Sequence, residues 1–559
     1  MKVSQLEYKR VDIDKACEQI DKFIEEFNAS QTIEEQLAVD AKICDLMDEM
    51  ETAMTLSFIR FTQNTQDEFY QKEKDYYDEK SPLLEIKQRQ LDQCYLHSKF
   101  IDELKKHIPE TYFVNARMAS ETLDNKIIDE LRKENKLSTE YTKLVSSVVV
   151  KFEGKKYTLS QMTRFSHSPD RKIRRLACIA TGKAMNKIGK KIDDIYAQMV
   201  EVRTTIAKKL GFKNFSEVGY RRMGRNCYTQ EDIAKFRQNV KQYIVPLVTQ
   251  IKQKVATENG IKDFKLYDDG IYSIGDVSPV GDANQIFDNG KKMYAEMNTD
   301  TARLFELMEE SDAFDLLSRE NKWGGGYCTG LPVYKMPFIM SNFNGSLGDV
   351  DVLTHEFGHA LQTYYCYQNT PSSKRGSITY DSCEVHSMSM EFFAYKWMEL
   401  FFGDKKDEYV YNHVAGAISF IPYGTIVDFF QQTAYDYYSL SKSDRNEFWR
   451  QAEMEYLPYM NSKGLPFYKT GRRWQLKAHI FENPFYYIDY CLAQMTAFQF
   501  LALMQEDYDN AFEKYLQFVK IGGTKTFLET VEAVGLISPF EEEAFKKVTD
   551  TVRKILKLS

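Results

Sequence analysis

The sequence predicts a mainly α protein, a two-lobed helical body with one small antiparallel sheet. Three observations predict it. Charged and apolar residues recur at helical spacing over long stretches such as "IEEQLAVDAKICDLMDEMETAMTLSFIRF", the pattern of helices with one buried face. Gly at 27 and Pro at 13 are sparse in 559 residues, and no Pro/Gly/Ser-rich stretch divides the chain, so the lobes are expected to stay in contact along their length. Hydrophobic residues make up 43% and aromatics 14%, ample for a deep core.

Taken in order, residues 11–140 read as long amphipathic helices. Ser81-Pro82 and Ser168-Pro169 have the form of helix starts, Ser as cap and Pro in the first turn. The stretch "SVVVKFEGKKYTL" (147–159) predicts a hairpin turning at Glu153-Gly154. Helices resume to about 255, and the zone from about 260 to 345 reads as irregular. It holds "LYDDGIYSIGD", then "KWGGGYCTGLPVYKMPFIMSNFNGSLGD". Gly324, Gly325 and Gly326 allow a sharp turn or close backbone approach there, and "MPFIMSNF" (336–343) predicts a short strand. From 350 onward the pattern is again helical.

Composition removes several function classes. Net charge is −8, and phosphate binding needs a concentrated basic surface, so nucleic acid is not the expected partner. The nine cysteines are scattered without a CxxC pair, which reads as reduced thiols rather than a disulfide framework. The N-terminus is charged from its second residue and no run of 18 apolar residues occurs. A cytoplasmic protein without a membrane partner is expected.

Only eight histidines occur in the chain, yet "DVLTHEFGHALQTYY" (351–365) places two of them four apart. His355, Glu356 and His359 form HExxH. On a helix an offset of four puts both imidazoles on one face, one turn apart, where they can reach one zinc ion. Glu356 lies about 100° round from His355 and can reach a metal-bound water without competing as a ligand. Chance matches to this pattern number on the order of 0.01 in a chain of this composition.

Catalytic zinc needs a third protein ligand and an open position. The HExxHxxGxxH continuation is excluded, because Gln362 and Tyr365 stand where it needs Gly and His. The alternative takes a glutamate from a following helix, and "YDSCEVHSMSMEFFAYKWMELFF" (380–402) is the candidate. Glu384 and Glu391 lie seven apart and share a face. Glu384, near the helix start, is the expected ligand. Glu391 is expected to orient a ligand histidine from outside. His386 points elsewhere on the same helix, toward substrate or into packing. For the developing oxyanion, His479, Tyr486, Tyr487 and Tyr490 lie just before a strongly apolar helix in "KAHIFENPFYYIDYCLAQMTAFQFLALM" (477–504).

With these residues together, the sequence resembles the zinc oligopeptidases of the thimet oligopeptidase and oligoendopeptidase F family, most closely the bacterial oligoendopeptidase F branch that includes the Pz-peptidase type. The likeness rests on "HEFGHA" (355–360), the glutamate in "SCEVHSMSMEFF", "HIFENPFYYIDYCLAQ" (479–494), "GGGYCTGL" and "PFIMSNFNGSLGDV". It covers the C-terminal two-thirds of the chain. It implies a helical body around a deep substrate channel, with a small sheet beside the HExxH helix and one zinc ion on the channel floor. His355, His359 and Glu384 match the zinc ligands, and Glu356 the general base. Tyr490 matches the tyrosine that steadies the tetrahedral intermediate. His479 and Tyr487 match groups around the substrate carbonyl, with Tyr486 a further candidate. His386 stands where thimet-type members carry proline. Gly325 and Tyr327, in the glycine-rich segment, become candidate substrate contacts. The implied division is 1–195, a helical region forming one channel wall, and 196–559, the catalytic region.

The function so implied is hydrolysis of internal bonds in short unfolded peptides, with Glu356 as base. Strand 336–343 and the turn before it are expected to pair with the peptide backbone. One alternative is a zinc carboxypeptidase or dipeptidyl carboxypeptidase on a related fold, with Arg472 and Arg473 as candidate carboxylate binders. A remoter one is a non-catalytic peptide-binding protein with structural zinc. The oligomeric state stays open, a homo-oligomer included.

Overall fold

The computed structural model describes residues 2–272, 277–370 and 378–558, so the end of "LYDDGIYSIGD" lies outside the described residues. Two compact units are each assembled from three stretches of chain. The first takes Met1–Ser120, Val277–Lys406 and Thr496–Leu536, and the second Glu121–Asp276, Asp407–Met495 and Ile537–Ser559. Both are mainly helical. Among the described residues, sheet is confined to the hairpin β1 (Val150–Phe152) and β2 (Lys155–Tyr157) and one three-stranded sheet. The hairpin turns at Glu153 and Gly154, as expected, and both have positive φ. The 195/196 division falls within one continuous helix, Gly189–Leu210.

The first unit begins with helices Ile13–Ala29, Ile33–Gln63 and Glu68–Leu96. Each starts where the sequence supplies a cap: Asp12 accepts from the Lys15 N–H, Thr32 from that of Glu35, and Asp67 from those of Phe69 and Tyr70. Ile13, Ile20, Phe27, Ile43, Met47 and Tyr95 join in one core. No helix starts at Ser81-Pro82, because Glu68–Leu96 runs straight through Pro82. Tyr77, Leu84 and Leu91 are buried on that helix before and after the proline, so core packing outweighs the one backbone bond lost. Ser168-Pro169 likewise only precedes a helix: Arg171–Asn186 is capped by Asp170.

Helices Ala283–Met297 and Thr299–Glu310 occupy part of the stretch expected to be irregular. Their signals are local. Asp282 and Asn298 cap them, and Ile286, Met293, Tyr294 and Met297 form a buried stripe.

Strands β3 (Phe314–Leu317), β4 (Tyr327–Leu331) and β5 (Met336–Phe343) form a sheet in the order β3-β5-β4. The antiparallel expectation holds for β4 with β5, but β3 pairs with β5 in parallel, so the sheet is mixed. After β3 the chain crosses to the far edge before turning back, and β5 therefore runs with β3. The predicted strand 336–343 is β5, buried along nearly its whole length, as a central strand should be. Both its edges are taken, which overturns the expectation that it pairs with a peptide; an outer edge belongs to β4. Helix Leu347–Asn369, which carries HExxH, packs on this sheet. Asp349 sets its start by accepting the N–H groups of Asn344, Gly345 and Ser346. Phe357 anchors it, stacking on Tyr294 at 3.9 Å between centroids.

In the second unit, buried arginines fix the short helix His479–Glu482 and the turn that follows it. Arg203, 1% exposed, pairs with Glu134 at 2.6 Å and donates to the carbonyls of Ile480 and Phe481 at 3.1 and 2.6 Å. Arg225 bonds the Phe485 carbonyl and pairs with Asp489 at 3.1 Å. Phe485 has φ of 73°, a left-handed conformation unusual for a bulky residue. It is held from both sides, since the Gln431 side-chain oxygen accepts its N–H at 3.0 Å. These contacts set the turn into helix Tyr487–Met504.

The stretch Tyr380–Asp436 contains 18 residues apolar enough to cross a membrane, and 67% of that segment is buried inside the protein. Its apolarity there serves packing.

Candidate metal centre

His355 and His359 project from Leu347–Asn369, and Glu384 from Tyr380–Phe393. The two helices come very close at Gly358. A Cβ there would lie 2.5 Å from the His386 carbonyl oxygen and 2.7 Å from the Ser387 Cα. This close approach brings the three predicted ligands together: their ligating atoms all lie within 4.8 Å of one another. His355 Nε2 is 3.5 Å and His359 Nε2 3.7 Å from Glu384 Oε2. Two ligands about 2.1 Å from a tetrahedral ion stand roughly 3.4 Å apart, so these separations fit a zinc-sized cation.

The outer nitrogens are engaged in the way a metal site requires. Glu391 Oε1 meets His355 Nδ1 at 2.6 Å. Cys383 Sγ lies 3.4 Å from His359 Nδ1. Both rings thus turn Nε2 inward. Ser387 Oγ donates to Glu384 Oε2 at 3.1 Å and steadies the carboxylate. Cys383 and Ser387 were not singled out in the sequence; their only signal is their place on the face of the Glu384 helix next to that residue.

The electrostatics favour positive charge between these groups. Burial works against a proton on His355, but the carboxylates of Glu384 and Glu391 outweigh it and hold the imidazole well above its usual range. His359, also buried and beside His355, is pushed down to about 4 despite Glu384. Glu356 is pushed up to about 7, chiefly by burial, against the pull of His355 and a hydrogen bond from the Cys328 backbone. Glu391→Gln is expected to weaken metal affinity by about 10–100-fold without loss of fold. Chelator competition measures it, and an unchanged dissociation constant would remove Glu391 from the site.

The remaining candidates divide as follows. Tyr327, at the start of β4, shares a hydrogen bond of 2.6 Å with Thr62 and packs on Phe58 and Trp323. Gly325 lies against the Trp323 ring, where a Cβ would come within 2.0 Å, and its carbonyl accepts from Asn342 at 2.8 Å. His386 is buried against Phe518. In the second unit, His479 gathers the tyrosines around it: ring centroids of Tyr487, Tyr486 and Tyr490 lie 5.0, 5.7 and 6.1 Å away. Tyr487 and Tyr490 sit in the first turn of Tyr487–Met504, not ahead of it. Burial and then Lys477 push His479 down to about 4, and its buried Nδ1 has no partner among the described residues. The residues that hold this cluster, Arg203, Arg225 and Asp489, were not anticipated. The one available signal was Asp489, a lone acid in an apolar helix.

The description Peptidase M3 N-terminal domain matches residues 3–123, and Peptidase family M3 matches residues 164–549. The solved structure of Pz peptidase A with an inhibitor is 39% identical and superposes with a TM-score of 0.92, covering 100% of this chain and 99% of that one. A Bacillus anthracis (strain Ames) protein described as a candidate oligoendopeptidase F is 38% identical with a TM-score of 0.87, covering 100% and 98%. Oligopeptidase PepF of Bacillus subtilis (strain 168) is 20% identical over 421 residues, 72% of this chain and 60% of that relative's length. With nearly its whole length matched at this level, the chain belongs to peptidase family M3.

Proposed function

We propose that this chain is a zinc-dependent oligoendopeptidase that hydrolyses internal bonds of short unfolded peptides. The observation that carries the reading is the convergence of two histidines and one glutamate, with ligating atoms within 4.8 Å, beside a half-buried glutamate that belongs to none of the three ligand positions. His355, His359 and Glu384 would hold the ion. Zinc, when bound, supplies a Lewis acid that polarises the scissile carbonyl and makes water acidic near neutrality.

The chain's own residues do the rest. The Glu356 carboxylate takes a proton from the attacking water and passes it to the leaving amine nitrogen. Its burial keeps it basic enough near neutral pH to do both. Tyr490 and His479 are assigned, on the resemblance, to the developing oxyanion, and Tyr487 and Tyr486 to the surrounding carbonyl. Gly325 and Tyr327, leading into the outer strand β4, are assigned to the peptide backbone.

Internal cleavage is favoured over carboxypeptidase action by the state of the candidate carboxylate binders. Arg472 is paired with Asp193 at 2.9 Å, and Arg473 with Glu453 at 3.3 Å. Neither is a free cation for a peptide C-terminus. The test is a C-terminally amidated, internally quenched peptide. Internal cleavage that a chelator abolishes and zinc restores is expected. Cleavage that requires a free C-terminal carboxylate would overturn the endopeptidase reading, and cleavage indifferent to chelation would overturn the metal.

A further inference from the structure

The group least explained by packing is Lys477. It is a half-buried cation, and among the described residues no carboxylate pairs with it. Its neighbours Arg472 and Arg473 take Asp193, Glu453 and Asp269. Lys477 instead lies over the rings of Tyr487 and Tyr423, at 4.5 and 5.4 Å from their centroids. Its Nζ donates to the Tyr487 hydroxyl oxygen at 2.8 Å.

That bond has a geometric consequence. An ammonium has donors only, so it occupies a lone pair of the tyrosine oxygen. The hydroxyl's own hydrogen must then point elsewhere, and among the described residues it has no acceptor. Nearby, His479 Nδ1 is buried without a partner among the described residues. Among the described residues, a hydroxyl hydrogen without an acceptor, an imidazole nitrogen without a partner and a cation without a carboxylate therefore lie side by side. Buried polar groups left so are costly, unless a ligand completes them.

We infer that Lys477 is a positioning residue for the reaction: its ammonium holds and polarises the Tyr487 hydroxyl so that the hydroxyl hydrogen is presented to a carbonyl oxygen of the bound peptide. The inference rests on the assignment of Tyr487 to the substrate carbonyl. Burial and the nearby Arg473 push Lys477 down to about 8, which leaves it mostly charged at neutral pH. A donor bonded to a charged group is the stronger kind, so the tyrosine gives a better hydrogen bond with the lysine than without it.

The test is a double-mutant cycle on the zinc-loaded, full-length protein with zinc content measured for each variant. K477M is expected to lower kcat about tenfold, less than the loss of a direct oxyanion donor, with KM within about twofold. K477R is expected to restore most of the rate. In a Y487F background, K477M should cost nothing further. Equal losses from K477M in both backgrounds would overturn the inference while leaving Tyr487 in place. An unchanged kcat in Y487F alone would instead remove Tyr487, and the inference with it. Should K477M fold poorly, K477Q, which keeps a neutral donor, carries the same cycle with about a threefold expected loss.

Discussion

Glu356→Gln is expected to lower kcat by about 10²–10⁴-fold, with metal content and thermal stability unchanged. The amide is nearly isosteric with the carboxylate and can still accept the Cys328 N–H, so the local structure has no reason to move. What it lacks is a basic oxygen. The pH profile gives the independent check. A general base must be unprotonated, so the rate falls as pH drops through its pKa. Burial pushes Glu356 up to about 7, and a bound dication pulls it lower. The acid limb of kcat/KM should therefore lie at or below about pH 7, and Glu356→Gln should abolish it along with the rate. Equal product formation by wild type and variant, measured by mass spectrometry on a mixed peptide pool, would remove Glu356 from its role.

Gly358→Ala is the second large expected effect, and here two opposed contributions must be weighed. Alanine is the better helix former by about 1 kcal/mol. Against that, its methyl group would lie 2.5 Å from the His386 carbonyl oxygen, 3.0 Å from the His386 carbonyl carbon and 2.7 Å from the Ser387 Cα. These are backbone atoms and cannot rotate away, so the helices must part. Forced overpacking costs about 1–3 kcal/mol even when side chains can adjust, so the clash wins. The larger consequence is functional, because the ligands come from both helices. A shift of about 1 Å in such a constellation can cost about 10²-fold in rate. Metal affinity should fall at least tenfold and the melting temperature should drop. Wild-type affinity and stability in Gly358→Ala would show that this contact does not set the ligand geometry.

Legibility in the sequence followed the range of the interactions. The hairpin at 147–159 and the strand at 336–343 were readable because turn chemistry and a continuous apolar run are local. Helices Ala283–Met297 and Thr299–Glu310 were equally local in their caps and stripes, and were obscured by the glycine-rich segments beside them. Pro82 misled in the opposite direction: its local rule is sound, but burial of Tyr77, Leu84 and Leu91 on the core outweighed it. The partner choice of β5 could not be read, since a strand's residues do not say which neighbours will pair with its edges.

The candidate site divides along the same line. An offset of four in a helix places two imidazoles on one face whatever surrounds them, so the sequence by itself determined His355 and His359 as a pair, with Glu356 beside them and Glu384 as the best remaining ligand. The sequence also pointed to Glu391 as the group that orients a ligand histidine; only the tertiary structure decided that this histidine is His355, that Cys383 rather than a carboxylate meets His359, and that Arg203, Arg225 and Lys477 hold the tyrosine cluster. The physical reason is that those contacts join residues by the packing of separate helices, and Gly358, one missing methyl group, sets how closely two of those helices can pack.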